Sequence, residues 1–159
     1  MTTLKEAAEE FLAQERIAVT GVARKPEPGH GANTVYKHLR DLGHDVFAVN
    51  PNADEVEGDT CYHDLASIPD GVDAVVIATT PEVAESTMRE CAELGIQQVW
   101  MHRSFGTGSV SEAAAELGRE QGLTIIAGGC PLMFSRKADV PHRVMKQILS
   151  ITRKLPTQV

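Results

Sequence analysis

The chain has 159 residues, which is enough for one domain and excludes two-domain dehydrogenases and complete ligases. With 42% hydrophobic and 23% charged residues, its composition is that of an ordinary globular protein. A formal net charge of −7 opposes broad electrostatic attraction to nucleic acid or to an anionic membrane. We therefore expect a small-molecule ligand. If that ligand is anionic, it has to be held by basic residues close to its binding site.

The N-terminal segment, residues 1–16, has neither the apolar core of a signal peptide nor the Arg-rich, acid-poor composition of a transit peptide. No apolar run approaches the roughly 18 residues of a membrane span. The three cysteines, Cys61, Cys91 and Cys130, fit neither a disulfide framework nor a zinc site. We expect a cytoplasmic protein with reduced thiols and without a membrane partner.

Five short segments rich in β-branched residues are predicted to be buried strands, and apolar residues between them recur at helical spacing. Three glycines suited to a left-handed helix end follow the helical stretches. This alternation predicts an α/β, Rossmann-like fold, with a mainly parallel sheet of five to six strands and helices on both faces. The predicted strands are 17–22, 45–49, 74–79, 98–102 and 123–127; the helical sets are Val35, Leu39 and Leu42, then Val83, Thr87, Cys91 and Leu94, then Val110, Ala113 and Leu117; the glycines are Gly43, Gly95 and Gly122.

Two further helices are predicted at the ends of a single domain that covers residues 1–159. Residues 1–16 form an N-terminal helix, and residues 140–155 form a C-terminal helix that packs on it. Before the last predicted strand, Ser109 and Glu112 match a capping box and predict a helix start there.

The residues after the first predicted strand have the composition of a phosphate-binding loop. Gly21 closes the strand, and the cations Arg24 and Lys25 follow it. Gly29 and Gly31 then open the next helix. Such a segment presents backbone N–H groups and a helix N-terminus to an anion, with two cations beside it. An ordinary surface loop is the alternative, because Gly, Pro and basic residues form those as well.

The usual fingerprint of dinucleotide binding is missing. Gly21 is followed by Val22 and Ala23, so the motif G-x-G-x-x-G is not formed. The second predicted strand ends at Asn50, without the acid that binds the ribose 2′-hydroxyl of NAD. NADP remains an alternative, because its 2′-phosphate tolerates a basic neighbour such as Arg24.

Six segments follow one another in a fixed order between residues 17 and 133: Thr20-Gly21-Val22-Ala23-Arg24-Lys25-Pro26, Phe47-Ala48-Val49-Asn50-Pro51, Gly58 with Cys61-Tyr62, residues 65–69, Val72-Asp73-Ala74-Val75-Val76-Ile77, and Val99-Trp100-Met101. In this order they resemble the CoA-binding domain family. That family includes small stand-alone proteins and the nucleotide-binding part of succinyl-CoA synthetase alpha subunits and of ADP-forming acyl-CoA synthetases.

The resemblance implies a Rossmann-like domain that binds coenzyme A, or an acyl-CoA, at the carboxyl edge of its sheet. Residues 21–25 would hold the diphosphate, 49–51 would border the adenosine end, and 79–81 would flank the ligand after the third predicted strand. The candidate cofactor-binding residues are Gly21, Val22, Ala23, Arg24, Lys25, Pro26 and His30 at the phosphates; Asn50 and Pro51; Thr79, Thr80 and Pro81; Trp100, Met101 and His102 on the pantetheine side; and Cys130, where the ligand thiol could approach.

We expect no catalysis by this chain alone. The Gly-Pro-Asn-Cys-Pro-Gly segment of synthetase alpha subunits is only partly kept in residues 128–132, where Cys130 precedes Pro131. The sequence contains no Ser-His-Asp arrangement, metal-ligand spacing or Walker loop. Cys130 is either a structural cysteine or the partner of CoA in a reversible mixed disulfide.

The prediction is therefore a CoA-binding or acyl-CoA-binding protein that has no activity alone, with no metal and no nucleic-acid partner. It would pair with a copy of itself or with a ligase-type subunit. Two enzymatic alternatives stay open: an NAD(P)-dependent oxidoreductase, and an acyl-CoA-handling enzyme subunit that uses His102 or Cys130.

Overall fold

The computed structural model describes residues 3–25, 31–102 and 110–131, so the C-terminal helix predicted at 140–155 lies outside the described residues. Helices and strands alternate along this part of the chain. In order they are α1 (Leu4–Leu12), β1 (Arg16–Thr20), α2 (Gly31–Asp41), β2 (Asp45–Val49), β3 (Glu55–Val56), β4 (Asp59–Tyr62), β5 (Ala74–Ile77), α3 (Pro81–Glu93), β6 (Gln98–Met101), α4 (Glu112–Glu120) and β7 (Thr124–Ala127).

The described strands form one sheet in the order β3-β4-β2-β1-β5-β6-β7. All neighbouring pairs are parallel except β3 and β4, which are antiparallel. The chain moves outward from β1 in one direction through β2 and β4, and in the other through β5, β6 and β7. The predicted Rossmann-like α/β fold is thus confirmed, with a point at β1 where the strand order reverses.

Within the described residues the sheet has seven strands where five to six were predicted, because the β3–β4 hairpin was not foreseen. Its turn residues, Glu57 and Gly58, have φ values of 52° and 83°, the left-handed pair that a two-residue type I′ turn requires. β3 has only two residues, and β4 carries the polar Asp59 and Thr60. Segments this short and polar give no period-2 apolar pattern.

The core lies on both faces of the sheet. Along β1, Ile17 and Val19 belong to a cluster under α1 and α2, whereas Ala18 belongs to a second cluster under α3 and α4. This division follows from the strand itself, since successive side chains point to opposite faces. Helices therefore cover both faces, as expected for a parallel sheet.

The buried face of α3 shares Cys91 with the predicted one but differs at the other positions. Val83 and Leu94 are 47% and 45% exposed, while Ala84, Met88 and Cys91 are fully buried. Cys91 is thus a core residue, as expected. Val83 faces a cleft at the sheet edge instead of the core. Because it is apolar, the sequence pattern assigned it to the core face.

α4 also begins later than predicted. Its N-cap is Ser111, whose hydroxyl accepts a hydrogen bond from the Ala114 N–H at 3.2 Å. Ser109, the predicted cap, lies outside the described residues. The helix buries Ala114, Ala115 and Gly118 rather than the predicted positions Ala113 and Leu117. The three predicted left-handed glycines are confirmed, with φ values of 98° at Gly43, 73° at Gly95 and 83° at Gly122.

α1 occupies the middle of the segment predicted as the N-terminal helix. Thr3 and Glu6 form a reciprocal capping box at its start. Phe11 packs edge-on against Trp100, with ring centroids 5.3 Å apart, and so fixes the helix on the sheet. None of the helices in the described ranges is both long and apolar enough to cross a membrane.

Candidate functional site

A cleft of about 280 Å³ opens at the carboxyl edge of the sheet, next to the point where the strand order reverses. Ligands of doubly wound sheets bind at this position. Of the predicted site residues, four line this cleft: Gly21, Asn50, Pro51 and Thr79. The structure therefore brings together the ends of β1, β2 and β5, which are far apart in the sequence.

Gly21 makes a turn that only glycine can make here. Its φ is +85°, in the left-handed region, and a Cβ built on it would overlap the carbonyl oxygen of Ala78. The segment after β5 crosses so closely because the Ala78 N–H donates to the Thr20 carbonyl at 3.3 Å. This close crossing fixes the backbone at the start of the loop, beside the cleft that Gly21 lines.

Asparagine side chains hold that loop. The Nδ2 of Asn50 donates to the Val22 carbonyl at 2.8 Å. Asn33, in the first turn of α2, accepts from the Ala23 N–H at 2.7 Å and donates to the Ala23 carbonyl at 2.9 Å. Asn50 thus acts on the loop backbone as well as lining the cleft. Asn33 could not be identified from the sequence, because an asparagine within a helix has no pattern of its own.

Arg24 and Lys25 follow as exposed cations. Neither forms an ion pair or a side-chain hydrogen bond with any residue in the ranges 3–25, 31–102 and 110–131. Pro26 and His30, the other candidates in this loop, lie outside the described residues. Within the described part of the chain, these two positive charges have no ion-pair partner and can therefore bind an anion.

The opposite wall of the cleft is one face of α3. Val83, Thr87 and Glu90 recur at helical spacing along it. Part of the stripe predicted to face the core is therefore the wall of the site. The signal was present in the sequence, but apolar periodicity alone does not distinguish a core face from a cleft face.

Two acidic residues, Asp64 and Glu90, belong to the lining of the cleft. The Leu65 N–H donates to Glu90 Oε1 at 2.8 Å, which ties α3 to the segment after β4. Hydrogen bonds from Ser67 hold the pKa of Asp64 below its usual value, so its carboxylate is ionised at neutral pH. His63, also in the wall, contacts Asp54 at 2.8 Å. These carboxylates suit a ligand portion that offers hydrogen-bond donors rather than phosphate.

The candidates near β6 and β7 do not line the cleft. Trp100 is fully buried under α1, and its indole N–H donates to the Gly128 carbonyl at 2.9 Å. Met101 is fully buried on the opposite face of the sheet, and Cys130 is 1% exposed in the same cluster as Trp100. The ring of His102 is partly exposed and lies over Gly31, the first residue of α2.

The remaining candidates border the site from the sides. Thr80 is the exposed N-cap of α3 and Pro81 its first residue, and both follow directly after the cleft residue Thr79. Val22 is buried beneath the loop and contributes its backbone rather than its side chain. Ala23 is half-buried between Asn33 and the surface.

We expect the cysteine thiols to be unreactive in the native protein. Cys61, Cys91 and Cys130 are buried, and burial raises the pKa of the Cys61 thiol and brings that of Cys91 to about 12. Because the thiolate is the reactive species, CoA disulfide should modify none of them within minutes, and all three after unfolding. Intact-mass spectrometry measures this. A native CoA-sized adduct that is absent from Cys130→Ser would contradict the prediction and favour the mixed disulfide.

The reversed strand order, the glycine turn after β1 and the cleft beside it define a doubly wound, Rossmann-like α/β domain. Comparison with known proteins is more specific: residues 15–136 match the family model described as "CoA binding domain". The chain belongs to this family, which confirms the resemblance drawn from the sequence.

Relatives of two kinds are similar to this chain. An ADP-forming acetate–CoA ligase of Archaeoglobus fulgidus is 32% identical over 81 residues, which cover 51% of this chain but 12% of the ligase. The uncharacterized protein YneT of Bacillus subtilis is 28% identical over 125 residues, 79% of this chain and 88% of that protein. A solved structure, a hypothetical protein from Pyrococcus horikoshii, is 30% identical with a TM-score of 0.76 and covers 84% of this chain and 91% of that one.

Proposed function

We propose that the chain binds coenzyme A or an acyl-CoA, as one domain over residues 1–159, with the diphosphate on the loop after β1. One observation carries the proposal. Arg24 and Lys25, exposed cations without ion pairs to the rest of the described residues, follow within four residues of Gly21, which lines a cleft at the carboxyl edge of the sheet. Membership of the CoA-binding domain family supports the choice of ligand.

The distribution of charge agrees with such a ligand. Coenzyme A combines an uncharged adenine and pantetheine with roughly four negative charges on its phosphates, which charge-assisted hydrogen bonds would hold. The cleft itself is acidic at Asp64 and Glu90, and the protein carries a net charge of −7. The phosphates would therefore lie at the loop cations, and the cleft would receive the nucleoside.

The size of the cleft also agrees with partial occupancy by a long ligand. Its volume of about 280 Å³ is just below the range of roughly 300–1,000 Å³ that is usual for pockets of drug-sized ligands. We propose that the pantetheine arm lies along the surface toward His102, the partly exposed candidate after β6.

We further propose that the chain has no activity alone and acts in the cytoplasm as a carrier or sensor, as a homodimer or beside a ligase-type subunit. The ligase partner is suggested by the Archaeoglobus relative, in which the similar region is 12% of the whole protein. The homodimer remains a proposal from the sequence.

An NAD(P)-dependent oxidoreductase is the second candidate, because the strand order is the one on which dinucleotides also bind. The residue at the end of β2 argues against it. Asn50 occupies the position of the ribose-binding acid, and its amide is engaged by the Val22 carbonyl at 2.8 Å.

Ligand-dependent unfolding separates the two candidates. Coenzyme A at 100 times its dissociation constant is expected to raise the free energy of unfolding by about 2.7 kcal/mol, because only the native state binds it. NADH and NADPH at the same concentration should have little effect. Urea titrations with each ligand measure this, and a larger response to either nicotinamide nucleotide than to coenzyme A would favour the oxidoreductase.

A further inference from the structure

One peptide group in the loop after β1 is held at both of its polar ends. This group joins Val22 to Ala23. Its carbonyl accepts from Asn50 Nδ2 at 2.8 Å, and its N–H donates to Asn33 Oδ1 at 2.7 Å. Since the two asparagines belong to different elements, the peptide plane cannot rotate without breaking one of these hydrogen bonds.

Asn33 satisfies every polar atom of its carboxamide in this arrangement. Besides accepting from the Ala23 N–H, its Nδ2 donates to the Ala23 carbonyl and to Glu57 Oε1, each at 2.9 Å. The residue is only 2% exposed. A buried polar side chain with all its hydrogen bonds made fixes the conformation of the groups around it.

Glu57, the residue that accepts a hydrogen bond from Asn33, is held in place by other contacts. Glu57 belongs to the type I′ turn between β3 and β4, and its carbonyl accepts from the Arg40 guanidinium at 3.0 Å. Arg40 also binds Asp59 at 2.8 Å, and Asp59 accepts from the Tyr36 hydroxyl at 2.6 Å. These contacts hold the pKa of Asp59 below its usual value. The loop is thus connected through Asn33 to a charged cluster on α2 and the hairpin.

We propose that Asn33 is a positioning residue that sets the conformation of the phosphate loop before ligand arrives. The inference rests on the proposed function, since it assumes that residues 21–25 hold a diphosphate. Arg24 follows directly after the clamped residue, so the direction of the backbone at Ala23 decides where both cations lie. A loop that is already ordered does not lose conformational entropy when the ligand binds, and the affinity is higher for that reason.

The carboxamide is specific to this role. Aspartate has the same shape, but its carboxylate offers no donor to the Ala23 carbonyl and would meet the Glu57 carboxylate at the present 2.9 Å separation. Lys37 lies 3.9 Å from Glu57 and offsets only part of that repulsion. Asn33→Asp therefore removes the hydrogen bond to the Ala23 carbonyl and adds a negative charge beside Glu57, with almost no change in volume.

Affinity for two ligands tests the proposal. For Asn33→Asp, we expect coenzyme A to bind about 10- to 100-fold more weakly, as for loss of a hydrogen bond to a buried partner. Adenosine, which would use the cleft and not the loop, should bind within about 3-fold of the wild type. Equal losses for both ligands would mean general damage to the structure and would overturn the proposal.

Two further variants separate the loop contact from the hairpin contact. Glu57→Gln keeps an acceptor for Asn33 and should leave coenzyme A affinity within about 3-fold of wild type. The double variant Asn33→Asp with Glu57→Gln restores a donor and an acceptor between these two positions, but not the bond to the Ala23 carbonyl. Its affinity should stay low, and recovery to the wild-type value would overturn the proposed role at the loop.

Hydrogen exchange without ligand tests Asn33 independently of coenzyme A. The Ala23 amide is expected to be protected in the wild type and to exchange at least 10-fold faster in Asn33→Ala. An Ala23 amide that exchanges equally fast in both proteins would refute the positioning role. If the Ala23 amide is protected in the wild type but coenzyme A does not bind, then the proposed function fails, whereas the role of Asn33 in holding the loop is retained.

Discussion

Gly21→Ala is expected to lower the free energy of unfolding by about 2–5 kcal/mol and to abolish ligand binding at the cleft. The left-handed backbone costs a non-glycine residue about 1–2 kcal/mol. The new Cβ would also overlap the Ala78 carbonyl oxygen, and relieving such crowding costs about 1–3 kcal/mol more. Relief is difficult, because Ala78 is hydrogen-bonded to Thr20 at the end of β1 and both neighbours are main chain.

Gly58→Ala is the matched control. Gly58 has nearly the same φ, +83°, but a Cβ there would have no atom within 4 Å. Only the conformational cost of about 1–2 kcal/mol remains, and ligand binding should be kept. Urea unfolding of both variants gives the difference. Equal destabilisation of the two would show that the close crossing after β5 does not constrain the loop.

Arg24→Ala with Lys25→Ala is expected to weaken coenzyme A binding about 100-fold, or about tenfold for each charge-assisted hydrogen bond lost. Stability should hardly change, because both side chains are exposed and form no ion pair with the described residues. Isothermal titration at several salt concentrations measures the effect. The wild-type affinity should fall with added salt, and the affinity of the variant should fall much less.

A control of equal charge shows whether position or net charge matters. Lys5→Ala with Arg119→Ala also removes two cations, from exposed positions on α1 and α4. Affinity within about 3-fold of wild type is expected, since screened charges distant from the ligand contribute little. If this control weakened binding as much as the loop variant, the phosphate-binding role of Arg24 and Lys25 would be refuted.

The fold followed from the sequence to a large extent because its strands are short, buried and apolar, and because glycines mark the helix ends. The β3–β4 hairpin escaped because its strands are too short to show alternation, and Glu57 is an unusual residue for a left-handed turn position. The buried face of α3 was assigned wrongly because Val83, an apolar residue, faces the cleft.

The site residues that could be predicted are those whose position follows from the local course of the chain. Gly21, Asn50 and Thr79 follow directly after strands, and parallel strands end at one edge, so their grouping in the cleft could be foreseen. The contributions of Glu90 and Asn33 could not, because they depend on which face of a helix meets the sheet edge. The burial of Trp100 likewise depends on α1, whose docking no local pattern specifies.

Because Trp100 packs against Phe11 of α1, its fluorescence is an intrinsic probe of the position of this helix. The chain has one tryptophan, and its indole is enclosed by α1 and bonded to the Gly128 carbonyl. Its emission spectrum therefore monitors whether the first helix stays seated, on the face of the sheet opposite α3. Release of the N-terminal helix can therefore be followed by tryptophan fluorescence, and Trp100 itself does not line the cleft.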